Sequence, residues 1–124
     1  MIKFTIPGQP VPKARPRVTR KGTYTPETTK HYEKVVQASF MATKTRKMMD
    51  GPLKADLVFY LSKPKRPKHP RHPITKPDID NYQKAVMDAL NGMAYCDDSQ
   101  IVVVYAEKRY SESPRVVVTL TEVE

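Results

Sequence analysis

The residues best suited to chemistry lie between Lys76 and Gln100. This stretch holds five of the chain's thirteen acidic residues, all of them aspartates: Asp78, Asp80, Asp88, Asp97 and Asp98. The segment just before it, 63–77, contains six Lys or Arg and no acid, in a chain of net charge +9. A basic arm that leads into clustered carboxylates predicts a polyanion bound beside a divalent cation. A nuclease is the simplest interpretation.

Asp78 and Asp80 stand two residues apart, where an extended arm enters a predicted helix. Both side chains can therefore point toward one place outside the helix N-terminus. An ionised pair repels itself unless a cation intervenes, which favours metal binding. The structural alternative is helix capping, since Asp80 with Gln83 has the spacing of a capping box and Asp78 with Asn81 the corresponding one. The residues alone leave both interpretations open.

Lys84 follows Asp80 by four residues and so projects from the same side of the helix. It either forms a surface ion pair worth about 0.3–0.5 kcal/mol or supplies a cation to the scissile phosphate. Asp98 begins a predicted strand after the helix turns back, so antiparallel packing of the two would leave it near the far end of the helix. The sequence alone does not place Asp98 beside Asp80.

The cluster offers only oxygen ligands, which favours Mg²⁺, or Mn²⁺ as its substitute, over zinc. Two such ions about 3.5–4 Å apart would suit the attack of water on a phosphodiester. The single cysteine, Cys96, excludes an internal disulfide and any zinc site built from several cysteines. We expect no small-molecule cofactor.

The length and composition predict one domain spanning 1–124, with nucleic acid or an anionic surface as partner. No apolar run approaches the roughly 18 residues of a membrane span, and the N-terminus lacks the pattern of a signal peptide. We therefore expect a cytoplasmic protein without membrane contact.

The spacing of apolar residues predicts the strands and helices that position these side chains. Strand patterns occupy four segments: 2–6, 53–61, 101–106 and 116–120. The second is expected to be mostly buried on both faces, and the last two to form a hairpin through the polar turn 111–114. Helical patterns occupy two segments: one from Thr25-Pro26-Glu27 to about Met48, ended by Asp50-Gly51-Pro52, and one from Asp78 or Asp80 to Asn91-Gly92. The order β-α-β-α-β-β predicts an α+β (mixed α/β) fold, a mixed sheet with two helices packed on it.

Two proline-rich basic loops, 7–21 and 63–77, are predicted to contact DNA phosphates. The candidate DNA-binding residues are Lys13, Arg15, Arg17, Arg20, Lys63, Lys65, Arg66, Lys68, Arg71 and Lys76. A Lys21-Gly22 turn signal predicts a small hairpin in the first loop. The second loop cannot bury much apolar surface, and we expect it to be mobile without a ligand.

Two motifs make the chain resemble the RusA family of Holliday-junction resolvases (crossover junction endodeoxyribonucleases) of bacteria and their prophages. One is Gly8-Gln9-Pro10-Val11-Pro12-Lys13-Ala14-Arg15-Pro16-Arg17, followed by Tyr24-Thr25-Pro26. The other is Lys76-Pro77-Asp78-Ile79-Asp80-Asn81-Tyr82-Gln83-Lys84-Ala85, then Asp88-Ala89-Leu90-Asn91-Gly92 and Asp97-Asp98-Ser99-Gln100-Ile101. The resemblance covers essentially the whole chain.

The resemblance implies a homodimer that cuts four-way DNA junctions with Mg²⁺. It implies paired symmetric nicks that leave 5′-phosphate and 3′-hydroxyl ends. By motif position, Asp78, Asp80 and Asp98 become the metal-binding catalytic carboxylates and Lys84 the catalytic lysine. Asp97 matches a position of lesser importance and Asp88 a structural one. A prophage or phage origin is also implied.

Two other functions compete with the nuclease. In a non-catalytic branched-DNA binder of prophage origin, the aspartates would be caps or would regulate the binding charge. An RNA-binding accessory protein is the third hypothesis, but the chain has no Trp and no strand carrying paired aromatics among glycines, as a base-stacking platform would.

Overall fold

The computed structural model describes 1–14 and 27–124 in full, together with the backbone of two short strands between them. The six strands are β1 (Ile2–Pro7), β2 (Arg17–Thr19), β3 (Gly22–Tyr24), β4 (Leu53–Leu61), β5 (Ile101–Tyr110) and β6 (Arg115–Glu122). The two α-helices are α1 (Glu27–Met41) and α2 (Ile79–Ala89), and a short 3₁₀ helix spans Asp98–Gln100. This order confirms the predicted α+β fold, and β2 and β3 form the small hairpin expected in the first basic loop.

The main sheet is mixed, with strand order β1-β6-β4-β5. Strand β4 runs parallel to β5 and antiparallel to β6, and β1 runs antiparallel to β6. The predicted hairpin of 101–106 with 116–120 is therefore wrong, because β4 lies between the two strands. The chain leaves β4, returns through α2 and adds β5 parallel to β4, as a βαβ unit does. It then passes over β4 to place β6 on the other side.

Burial explains this arrangement. Every second residue of β4 and of β6 is fully buried, whereas β5 has no fully buried residue. The sheet therefore keeps β4 and β6 in its interior and leaves β5 at an edge. The prediction that β4 is mostly buried on both faces holds in full for the face against the helices, where its residues are completely buried. Its second face, which includes Lys54 and Asp56, is only half-buried and lies beside polar partners on β6 such as Thr119 and Thr121.

Both helices contribute to the same core as the buried face of the sheet. Helix α1 inserts Phe40 against Phe4 of β1, with ring centroids 5.7 Å apart. Helix α2 stacks Tyr82 on Phe59 of β4 at 5.5 Å. The apolar positions at three-and-four spacing thus form the buried helix faces that the sequence predicts. Neither helix is long and apolar enough to cross a membrane, as judged over the described residues.

Helix α1 ends at Met41, well before the predicted end near Met48. The Thr43 hydroxyl donates to the carbonyl of Ser39 at 3.1 Å, and its backbone N–H bonds the carbonyl of Phe40, three residues back, at 3.0 Å. These bonds satisfy carbonyls at the end of the helix. The polar residues that follow have nothing to bury, and the chain turns back so that Met49, 1% exposed, can enter the core.

Helix α2 begins and ends where the sequence predicts. Asp78 is the N-cap residue, and Gly92, just past the last turn, has a φ of 78°. That left-handed conformation favours glycine and lets the chain reverse direction toward β5.

Candidate active site

The N-terminal end of α2 presents Asp78 and Asp80. Asp78 occupies the N-cap position in an extended conformation, but its carboxylate makes no capping hydrogen bond. It pairs instead with Lys76, whose Nζ lies 3.1 Å from Asp78 Oδ1. Asp80 lies in the first turn of the helix and is exposed. The helix-capping alternative therefore does not account for these two carboxylates, which remain available to a ligand.

Lys84 is exposed one turn further along the same side of α2. Within the described part of the chain, no ion pair joins it to Asp80. The surface-pair interpretation of Lys84 thus has no support here. Its side chain is exposed, so its ammonium can meet an anion near the start of α2.

Asp98 lies at the other end of α2, in the 3₁₀ helix that precedes β5, rather than in the strand itself. Its backbone N–H donates to Asn91 Oδ1 at 2.8 Å. The turn before it is fixed by Gln100, whose Oε1 accepts hydrogen bonds from the N–H groups of Cys96 at 2.8 Å and Asp97 at 3.2 Å. The amide of the same side chain donates to backbone carbonyls of the α1–β4 connection. The position of Asp98 is therefore set by amide side chains.

Three carboxylates crowd this end of the helix. Partial burial raises the pKa of Asp98, and its contacts with Asp97 and Asp88 raise that pKa further. The pKa of Asp97 is lowered, first by the Ser99 hydroxyl, which donates to Asp97 Oδ2 at 3.0 Å, and next by Asp98. The pKa values of these two neighbours therefore shift in opposite directions, and a proton is held more favourably on Asp98 than on Asp97.

The predicted set of Asp78, Asp80 and Asp98 is not assembled within one copy of the chain. Helix α2 separates its members: the eight residue steps from Asp80 to Asp88 alone correspond to about 12 Å of helix. Across the described residues, no three His, Cys, Asp or Glu side chains converge in an arrangement that could hold a metal ion. The carboxylates have the right chemistry for Mg²⁺, but one copy of the chain does not present them together.

The second basic loop carries the predicted cations to solvent. Its six Lys and Arg side chains are all exposed: Lys63, Lys65, Arg66, Lys68, Arg71 and Lys76. The loop is nevertheless anchored at its end, because Lys108 of β5 donates from Nζ to the carbonyls of Thr75 and Pro77, each at 3.2 Å. The cationic arm thus ends directly beside Asp78.

Lys13, a predicted DNA-binding residue, is engaged inside the molecule. Its Nζ lies 3.2 Å from Glu33 Oε1 and 3.5 Å from Asp88 Oδ2, while its backbone N–H donates to the carbonyl of Asn81 at 2.9 Å. It therefore connects the first loop to α1 and α2. Arg15 and Arg20 lie outside the described residues, as do the Thr25 and Pro26 of the predicted helix start, and only the backbone of Arg17 is described.

Sequence reasoning missed three residues that arrange this site: Asn91 and Gln100, which hold the turn at Asp98, and Lys108, which holds the arm. Lys108 lies between the charged residues Glu107 and Arg109, so no local signal distinguished it. The other two lie within the quoted motifs, but their contacts appear only in the fold. Asp88, to which the resemblance gives a structural role, pairs with Lys13 and contacts Asp98.

Comparisons with known proteins agree with the resemblance. The chain matches the family model described as Endodeoxyribonuclease RusA over residues 7–121. It is 37% identical over 137 aligned positions to the uncharacterized protein YqaN of Bacillus subtilis (strain 168), covering 98% of this chain and 96% of that protein. It is 30% identical over 91 positions to the crossover junction endodeoxyribonuclease rusA of Lactococcus phage r1t, covering 71% and 70% of the two chains. This chain therefore belongs to the RusA family of endodeoxyribonucleases.

Proposed function

We propose that residues 1–124 act as one domain of a Mg²⁺-dependent, structure-selective endodeoxyribonuclease. Its substrates are Holliday junctions and related branched DNA, which it resolves as a homodimer by paired symmetric nicks with 5′-phosphate and 3′-hydroxyl ends. Family membership supports the nuclease activity, and the phage relative is named for crossover junctions. The relatives from Bacillus and a phage support a bacterial cytoplasmic setting with a phage or prophage origin.

The proposal rests on the position of the second basic loop, which ends beside two carboxylates that do not cap α2. Six exposed cations lead to Asp78 and Asp80, whose side chains have no role in capping α2. The arm can follow a phosphate backbone, and each phosphate neutralised releases counterions. Asp78, Asp80 and Asp98 supply hard oxygen ligands of the kind that Mg²⁺ or Mn²⁺ prefers. Lys84, one turn after Asp80, can bind the phosphate at which the bond is cut.

The test is cleavage of a synthetic four-way junction by wild type and Asp80→Asn, with Mg²⁺ and with EDTA. We expect paired, Mg²⁺-dependent nicks from the wild type. The variant should lose cleavage by at least about 100-fold while its junction affinity is kept or increased, because a negative charge beside phosphate has been removed. Asp56→Asn is the matched control, since Asp56 lies on the sheet face away from α2 and pairs with Lys54 at 3.8 Å.

A non-catalytic branched-DNA binder is the competing function, favoured by the separation of Asp98 from Asp78 and Asp80 within one copy. The same experiment distinguishes the two. Tight binding of the junction without cutting in Mg²⁺ or Mn²⁺ would overturn the nuclease proposal and support the binder.

A further inference from the structure

An open cleft of about 470 Å³ lies just beyond the point where β4 and β5 end side by side. Five residues line it: Ser62 and Lys63 after β4, Tyr110 at the end of β5, and Ser111 and Glu112 in the turn that follows. The volume is in the range of sites that hold small molecules. In open α/β sheets, ligands bind outside the carboxyl ends of the strands, which is where this cleft lies.

Hydrogen bonds fix both walls of the cleft. On one side, the backbone N–H of Ser62 donates to Gln9 Oε1 at 3.0 Å. On the other side, the backbone N–H of Ser111 donates to the carbonyl of Leu61 at 2.8 Å, and its hydroxyl accepts from Arg115 Nη1 at 3.2 Å. Because these bonds are made without a ligand, the cleft is preformed and a ligand has little ordering of the walls to offset.

Tyr110 gives the cleft an aromatic surface that is reached from solvent. Lys63 Nζ lies 5.7 Å from the centre of the Tyr110 ring, within the range of a cation–π contact. Lys63 is exposed, so the contact is weak and the ammonium can leave the ring for a phosphate. Proteins that bind single strands combine these two features, since bases stack on aromatic rings while cations follow the backbone.

Charge decides which part of a nucleotide fits the cleft. Lys63 is the first cation of the second basic loop, whereas Glu112 brings a carboxylate to the lining. A phosphate inside the cleft would be repelled by Glu112, but an uncharged base would not. The arrangement therefore favours a base inside the cleft, with its phosphate outside on the side of Lys63.

A base can use the Tyr110 ring only when it has left a duplex. A paired base is stacked on its neighbours, so contact with a protein ring requires it to unstack and unpair. The cost of unpairing is smallest for a base that is mismatched or already single-stranded. The cleft therefore favours DNA in which pairing is interrupted over a continuous duplex.

The cleft lies close to the point where the second basic loop meets α2. Tyr110 follows Lys108 by two positions on the same face of β5, which is about 7 Å along the strand. Lys108 in turn donates to the carbonyl of Pro77, one residue before Asp78, at 3.2 Å. Since consecutive nucleotides of a duplex strand rise about 3.4 Å, a strand bound near Asp78 can bring the base of a nearby nucleotide to the cleft.

We propose that this cleft binds an unpaired nucleobase of branched DNA, stacked on Tyr110, and that it thereby adds to the preference for branched over linear DNA. The inference rests on the proposed function for the choice of branched DNA. Binding of the base itself needs neither metal nor cleavage, so it is measured in EDTA.

Stacking is tested with a short single strand that carries 2-aminopurine between two abasic sites, because the fluorescence of this base falls when it stacks on an aromatic ring. Wild type and Tyr110→Phe should quench the probe alike. Tyr110→Leu keeps apolar bulk at the end of β5, and its circular dichroism spectrum should match the wild type. It should nevertheless bind the probe about 10-fold more weakly and leave its fluorescence high.

A fully paired duplex is the matched control ligand, and all three proteins should bind it equally. Quenching by Tyr110→Leu as strong as that by the wild type would overturn the proposal. Loss of quenching in Tyr110→Phe would do the same, because the phenol hydroxyl rather than the ring would then hold the base.

A second measurement uses the wild type alone. 5-Iodouracil forms photocrosslinks with an aromatic ring on which it stacks, so four-way junctions are prepared with this base either beside the crossover or in the middle of an arm. Mass spectrometry should place a crosslink at Tyr110 for the first junction and not for the second. Crosslinks at other residues alone, or an equal crosslink from the paired arm, would contradict the proposal.

The outcomes separate the cleft from the nuclease activity. If the wild type crosslinks through Tyr110 but leaves the junction uncut in Mg²⁺, the proposed function fails and the base-binding cleft stands. If it cuts the junction while the base neither quenches nor crosslinks at Tyr110, the cleft proposal alone is wrong.

Discussion

Lys13 and Asp88 form an ion pair, with Lys13 Nζ 3.5 Å from Asp88 Oδ2. Because Lys13 also pairs with Glu33 at 3.2 Å, it ties the first basic loop to both helices. Asp88 stands beside Asp98, so this loop is connected to the acidic end of α2. Lys13, which the sequence analysis predicts to bind DNA, thus forms ion pairs that stabilise the fold.

Lys13→Met should accordingly reduce stability more than DNA affinity. The variant leaves Glu33 and Asp88 without their cation, and we expect the free energy of unfolding to fall by about 1 kcal/mol in urea titrations. Lys65→Met is the matched control from the exposed arm. It should leave stability within about 0.5 kcal/mol of the wild type, yet weaken junction binding and lower the salt slope by about 1. If Lys13→Met instead weakened junction binding and left stability unchanged, Lys13 would be a DNA contact as the sequence predicts.

Gln100→Ala should destabilise the turn that carries Asp98. The side chain donates to the carbonyls of Met49 at 3.1 Å and Gly51 at 3.0 Å and accepts two N–H groups of the turn. Removing these bonds should lower the free energy of unfolding by about 1–3 kcal/mol. Gln83→Ala, on a partly exposed helix position, should cost less than about 0.5 kcal/mol. Equal losses in the two variants would contradict this role for Gln100.

The sequence predicted the elements well where local patterns decide them. The alternation of Ile2, Phe4 and Ile6 gave β1, and the three-and-four spacing of Tyr32, Val36 and Phe40 gave the buried face of α1. The hairpin prediction failed because strand pairing depends on which strands need burial on the helix face, a property of the whole sheet. The predicted end of α1 failed for a similar reason, since Met49 leaves the helical path to reach the core.

The site shows the same division. The placement of Asp78 and Asp80 at the start of α2 follows from adjacent residues, and antiparallel packing already puts Asp98 at the far end of the helix. The partners of Lys13, Asp98 and Lys108 could not be predicted in this way, because each contact joins segments brought together only by the fold.

Lys108→Met should impair cleavage more than DNA binding. The substitution keeps an apolar stem in β5 but removes the donors to the carbonyls of Thr75 and Pro77, so the end of the arm loses its anchor beside Asp78. We expect the cleavage rate of a bound junction to fall about 10-fold or more, because misplacement of a reacting group by about 1 Å can cost 100-fold. Lys68→Met removes an exposed cation of the arm and should weaken binding without slowing the bound complex. A Lys108→Met variant that binds weakly but cleaves normally once bound would assign Lys108 to DNA contact.

Asp98→Asn should stabilise the protein at neutral pH, in the absence of divalent metal. Burial and the neighbouring Asp97 and Asp88 raise the pKa of Asp98 in the folded chain. The folded state therefore binds its proton more tightly than the unfolded state, and stability falls as the pH rises through the unfolded pKa toward the folded one. Above both values the penalty is fully present, so removing the charge should raise the free energy of unfolding at pH 7 by less than about 1 kcal/mol. The gain should shrink toward zero near pH 3, where Asp98 is protonated in both states.

Asp97→Asn provides the control of opposite sign. The pKa of Asp97 is lowered in the folded chain by the Ser99 hydroxyl, so its charge stabilises the fold above the unfolded pKa, and that contribution is lost as the pH falls. Urea titrations in EDTA at pH 7 and near pH 3 should therefore show Asp97→Asn less stable than wild type at pH 7 and Asp98→Asn more stable, with the two differences converging in acid.

Since Asp98 is held by Asn91 through its backbone N–H, the Asp98 substitution leaves that bond in place. A loss of stability for Asp98→Asn at pH 7 would show that the Asp98 carboxylate is needed for folding. It would contradict the inference that repulsion from Asp97 and Asp88 makes the ionised carboxylate unfavourable in the folded chain.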